Sequence, residues 1–96
     1  MRIRPKQKTT KLGTDLRFEI SRNPTDVLQG RPDTKRVVFL VKVRNVLYRL
    51  APDNLHDYSG PWRLDLKVGC WPWEAVTPET FATPELAAKD LQTRVN

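Results

Sequence analysis

Two segments of the chain alternate apolar and charged residues with the period of a half-buried β-strand. In residues 16–20 three apolar side chains alternate with two charged ones, and in residues 62–68 four apolar side chains alternate with three charged ones. Successive side chains of a strand point to opposite faces, so each segment predicts a strand with one face on a core.

Between these segments lies the most apolar part of the chain. Residues 36–43 are rich in Val, with Phe39 and Leu40 among them, which predicts a strand well inside the sheet. Arg44 and Asn45 could then form a tight turn into a further strand over residues 46–50. Apolar content alone would also allow a helix over residues 36–50, but β-branched Val favours strands. Residues 21–35 and 51–61 are rich in turn-forming residues and predict loops.

The last part of the chain carries the signature of a helix start. In Thr83-Pro84-Glu85 a Thr can cap the helix, Pro suits the first helical position, and the acid lies in the first turn. Ala87, Leu91 and Val95 then recur at helical spacing, which predicts an amphipathic helix of about three turns. Thr77-Pro78-Glu79 offers a similar but weaker start, because no such periodic stretch follows it.

The predicted fold is a single α+β domain over residues 14–96, preceded by a flexible basic arm over residues 1–13. We expect a small antiparallel sheet of three to five strands, with one C-terminal amphipathic helix packed on it. A length of 96 residues allows one domain with a modest core. The arm is dense in charge and poor in apolar residues, so it cannot bury enough surface to fold alone.

The charge is unevenly distributed along the chain. There are 17 Lys and Arg against 11 Asp and Glu, for a net charge of +6 and a pI near 9.9. Residues 1–12 carry five basic residues and no acid, and so do residues 35–51, whereas residues 52–96 have four bases against seven acids. Two basic segments therefore contrast with an acidic C-terminal half.

The basic segments predict contact with the phosphates of a nucleic acid, either DNA or RNA. Lys42 and Arg44 lie two residues apart, so we expect them on one face of a strand, joined by Arg49 from the next strand. Such binding would be largely independent of sequence. Surface Lys and Arg are also ordinary solubilising residues, which is the simpler interpretation. The candidate phosphate contacts are Arg2, Arg4, Lys6, Lys8, Lys11, Lys42, Arg44 and Arg49.

Aromatic residues are concentrated in residues 58–73, where they could form core, stack on bases or anchor an interface. The alternation predicts that Trp62 points inward, and we expect at least two of the three Trp residues in the core. Tyr58, Trp71 and Trp73 are the interface candidates. The alternative function is a protein-interaction module, an inhibitor or assembly component, that binds an acidic protein or self-associates as a homo-oligomer.

Catalytic chemistry is poorly represented, and we expect no enzyme activity, metal or cofactor. His56 is the single histidine, with Asp53 and Asp57 nearby, but it lies in a predicted loop and lacks an obvious nucleophile partner. Cys70 is the single cysteine and lies among apolar neighbours, which predicts a buried structural residue. The four glycines are scattered, so no phosphate-binding Gly-rich loop is formed.

The apolar runs are too short for a membrane span. The longest, residues 37–41, has five residues, against roughly 20 for a spanning helix. The first residues are charged without an apolar stretch behind them, unlike a secretory signal. Together with the lone cysteine, these features predict a cytoplasmic protein.

Overall fold

The structure, a computed structural model, describes residues 9–22, 37–55 and 57–96. Within these residues six strands form one antiparallel sheet in chain order, followed by a helix. Each strand is therefore hydrogen-bonded to its neighbours in sequence. The elements are β1 (Thr9–Thr10), β2 (Phe18–Arg22), β3 (Val37–Val43), β4 (Val46–Asn54), β5 (Ser59–Lys67), β6 (Glu74–Ala75) and α1 (Pro84–Val95).

The α+β class and the antiparallel sheet are confirmed, whereas the expected three to five strands are too few for the described residues. The two additional strands are the outermost ones, β1 and β6, which have two residues each. Thr10 pairs with Phe18 at one edge, and Glu74 pairs with Leu66 at the other. Two residues are too short to show a period, so the alternation could not reveal them.

One face of the sheet forms the core. Leu50 pairs with Phe39 on one side and with Leu64 on the other, and all three are buried. The helix covers this face, with Ala87 and Leu91 fully buried in the same cluster. The apolar residues of the alternating segments lie on the core side where the pattern predicts, except Val68, which is exposed because β5 ends at Lys67. The charged residues of both segments lie on the opposite face.

The β3–β4 connection is a two-residue turn, as expected, but its geometry moves Arg44 off the strand. Arg44 and Asn45 have φ angles of 52° and 68°, both in the left-handed region that a type I′ hairpin turn requires. Asn tolerates this region better than most residues. The expectation that Arg44 shares a strand face with Lys42 is wrong, because Arg44 lies at the hairpin tip.

The C-terminal helix begins at the predicted residue. The Thr83 hydroxyl accepts a hydrogen bond from the Leu86 amide at 3.3 Å, and Pro84 is the first helical residue. Thr77 likewise accepts from the Glu79 amide at 3.2 Å, but that turn does not continue into a helix. Among the described residues, no helix is long and apolar enough to cross a membrane.

The described part of the predicted arm lies against the domain. Thr9 pairs with Glu19 in the sheet, and Leu12 packs against the core cluster. Residues 1–8 lie outside the described residues, as does most of the loop predicted over residues 21–35. The division of the chain at residue 13 stays a prediction.

Candidate binding surface on the open sheet face

The face of the sheet opposite the helix carries the charged side chains of the strands. Leu40 pairs with Arg49, and Arg49 pairs with Asp65, in one row across three strands. Residues paired across neighbouring strands lie on the same face of the sheet. Along each strand the residues of this row alternate with the buried core residues, so the row points away from the helix. We call this side the open face, and define it by Leu40, Lys42, Leu47, Arg49, Asp65 and Lys67.

A second row of the open face is basic. Lys42 pairs with Leu47, which pairs with Lys67, so the two lysines stand two strands apart, about 10 Å. In the antiparallel pair of β2 and β3, Glu19 lies opposite Leu40. Arg17, two residues before Glu19, therefore lies next to Lys42, two residues after Leu40. We call Arg17, Lys42 and Lys67 the basic row. Within the described residues, none of the three has a carboxylate in ion-pair distance.

The basic row lines two adjacent shallow cavities, which we together call the groove. One cavity of about 490 Å³ is lined by Arg17 and Lys42, by the acidic Glu19, and by the apolar Leu40, Val41 and Leu47. A second of about 240 Å³ extends from Lys42 and Leu47 to Lys67 and Gly69. Lys42 and Leu47 line both cavities, so the two lie side by side across the sheet, between the start of β2 and the turn after β5. An elongated anion can contact all three cations there.

Arg49, a predicted phosphate contact, is engaged by other groups of the protein. Its Nη2 donates to Asp65 Oδ2 at 2.9 Å, and its guanidinium lies 4.3 Å from the ring centroid of Trp73. The Arg49 side chain is 19 % exposed and that of Asp65 only 5 % exposed. Arg63 lies 3.6 Å from the other oxygen of Asp65. Arg49 therefore positions Trp73 against the sheet, and much of its charge is balanced by Asp65.

The three tryptophans, all of which the structure describes, have three different environments. Trp62 points inward as predicted and contacts Phe39, with ring centroids 5.6 Å apart. Trp73 lies on the open face, where Lys67 Nζ approaches its ring at 5.9 Å. Trp71 is 73 % exposed. The expectation that at least two of them belong to the core is not met, since only Trp62 packs against the core cluster.

Trp71 follows a tight turn that leaves the end of β5. The Trp71 amide donates to the Val68 carbonyl at 3.1 Å, and Gly69 adopts a φ of 56°, which favours glycine. Val68 is 47 % exposed, and Cys70 is exposed as well. The predicted burial of Cys70 is wrong, because the strand ends at Lys67 and the turn carries the next residues away from the core.

The remaining candidates do not converge on the groove. Tyr58 lies at the other end of β5 from Trp71, roughly 25 Å away by strand geometry. Lys11 is exposed in the turn between β1 and β2, where its carbonyl accepts from the Thr14 amide at 2.8 Å. The arm residues Arg2, Arg4, Lys6 and Lys8 and the loop residue His56 lie outside the described residues.

Two members of the basic row, Arg17 and Lys67, were not among the sequence candidates. Both belong to the charged halves of the alternating segments, so the pattern already placed them away from the core. What the pattern lacks is the order and register of the strands, which bring Arg17 and Lys67 to the two sides of Lys42.

Comparison with known protein families, curated proteins and solved structures found no match.

Proposed function

We propose that this protein is a small non-enzymatic binding protein that contacts the phosphates of a nucleic acid through its open face. The observation that carries the proposal is the basic row along the two adjacent cavities of the groove. Arg17, Lys42 and Lys67 present three cations at strand spacing, and a polyphosphate backbone is the common biological anion with repeating charges. Binding it releases condensed counterions, which supplies a large part of the affinity.

Other basic residues extend the contact. Arg44 at the hairpin tip lies just beyond Lys42 at the same end of the sheet, so it adds charge beside the groove. We propose that Lys11 and the arm residues Arg2, Arg4, Lys6 and Lys8 bind further phosphates. Contacts of this kind position the protein on the backbone and carry no sequence information, so binding is largely independent of sequence.

We propose a cytoplasmic location for this binding. The exposed Cys70 is the single cysteine of the chain, and a free surface thiol persists best in a reducing compartment.

The direct test is the salt dependence of binding by the full chain. We expect single-stranded and duplex oligonucleotides to bind at low salt, with a log–log slope of about −0.9 for each phosphate contacted on a duplex and about −0.7 on a single strand. Fluorescence anisotropy at several salt concentrations measures this slope. Failure of both kinds of oligonucleotide to bind at low salt would overturn the proposal.

A second candidate function is protein binding, which the exposed Trp71 and Val68 favour. Tryptophan is enriched at the energetic centres of protein interfaces, and the cations of the basic row would complement an acidic partner or the acidic half of a second copy. A protein partner would be recovered after nuclease treatment, and the same preparation would bind no oligonucleotide in the salt titration.

A further inference from the structure

We propose that the groove takes single-stranded nucleic acid in preference to a duplex, with one unpaired base stacked on Trp71. This inference rests on the proposed function and names its substrate class. Trp71 is 73 % exposed, which leaves most of its indole ring accessible to a partner. Trp73 is less suited to the role, because Arg49 and Lys67 already lie near its ring.

Trp71 is placed where a strand bound in the groove would reach it. The turn of residues 68–71 borders the groove, because Gly69 lines the cavity together with Lys67 and Asn45. Lys42 and Lys67 therefore line the same cavity as Gly69, which precedes Trp71 by two residues. A strand whose phosphates contact the basic row would bring the base of its next nucleotide close to this turn.

The backbone at Trp71 is restrained before any ligand binds. The Trp71 amide is held by the Val68 carbonyl, and Pro72 restricts the residue before it to extended conformations. Less backbone entropy is therefore lost when a base stacks on the ring.

Stacking on Trp71 distinguishes single strands from duplexes. In a duplex both faces of each base are covered by its neighbours, so a protein ring can reach a base only if the stack is opened, which costs a few kcal/mol. An unpaired base offers its face without that cost. The cations of the basic row serve both forms, so the preference depends on the aromatic contact.

The test compares an oligothymidylate with a duplex of equal length at low salt. We expect the wild type to bind the single strand more tightly, and Trp71→Ala to weaken single-strand binding about tenfold with little change for the duplex. Trp71→Phe keeps an aromatic ring and should retain most of the affinity. Leu86→Ala, an exposed apolar residue on α1, is the control and should bind like the wild type.

These experiments can contradict the preference for single strands without contradicting phosphate binding. Equal affinity for the two oligonucleotides, with no effect of Trp71→Ala, would overturn the single-strand preference and leave phosphate binding in place. A similar loss for both oligonucleotides in Trp71→Ala would also overturn it. Binding of neither form by the wild type would overturn the proposed function itself.

Discussion

Reversing two charges of the basic row, Lys42→Glu with Lys67→Glu, should weaken oligonucleotide binding at low salt by about 100-fold. Each substitution removes a charge-assisted hydrogen bond to phosphate, worth roughly 1.5 kcal/mol or more, and a loss of about 3 kcal/mol corresponds to that factor. The slope of the salt dependence on a single strand should also become shallower by about 1.4, or about 0.7 per contact. Anisotropy titrations of the double variant and the wild type measure both quantities.

Lys89→Glu is the matched control for these reversals. Lys89 is exposed on α1, which covers the other face of the sheet, and its reversal changes the net charge without touching the groove. We expect its affinity to fall far less than that of the double variant, and chemical denaturation should show all three proteins folded. Equal losses per reversed charge at Lys89 and in the groove would mean that overall charge, rather than the basic row, attracts the oligonucleotide.

A core substitution, Leu50→Ala, should lower the free energy of unfolding substantially. Leu50 is fully buried between Phe39 and Leu64 in the centre of the sheet. Removing its methyl groups loses transfer free energy and leaves a cavity, which together cost about 3 kcal/mol. The free energy of unfolding of the whole domain is expected to be roughly 5 to 14 kcal/mol. A loss of about 3 kcal/mol should lower the Tm of a domain of this size by at least about 12 °C.

The same variant tests whether the two faces of the sheet have separate roles. At a temperature where Leu50→Ala is folded, its affinity for an oligonucleotide should match that of the wild type, because Leu50 points away from the groove. Leu86→Ala, at a side chain that is 51 % exposed, should change the unfolding free energy by less than about 1 kcal/mol. A Leu50→Ala variant as stable as this control would show that the core lies elsewhere.

Local chemistry was sufficient to predict the elements that have a strong local signature. The alternating segments became β2 and β5, the β-branched segment became β3, and the cap at Thr83 marks the start of the helix. In each case the periodicity or capping residue lies within a few neighbouring positions. The two-residue strands β1 and β6 escaped prediction because two residues are too few to show a period, and only their pairing with β2 and β5 defines them.

The candidate site was harder to predict because it depends on strand register. Lys42 was recognised from local charge density, but Arg17 and Lys67 join it only through the pairing of β2, β3, β4 and β5. Arg49 was predicted as a phosphate contact from the same local density of charge. In the structure its guanidinium instead forms a hydrogen bond with Asp65, sixteen residues away. A carboxylate on one strand that neutralises a basic side chain on another leaves no sign in the sequence around either residue.

A map of amide chemical shifts would show directly where on the protein a nucleic acid binds. On adding an oligothymidylate to the labelled full chain at low salt, we expect the largest shifts at Lys42, Leu47, Lys67 and Gly69, which line the groove. Shifts concentrated on α1, or the absence of shifts along the groove, would contradict the assignment of the open face as the nucleic-acid interface.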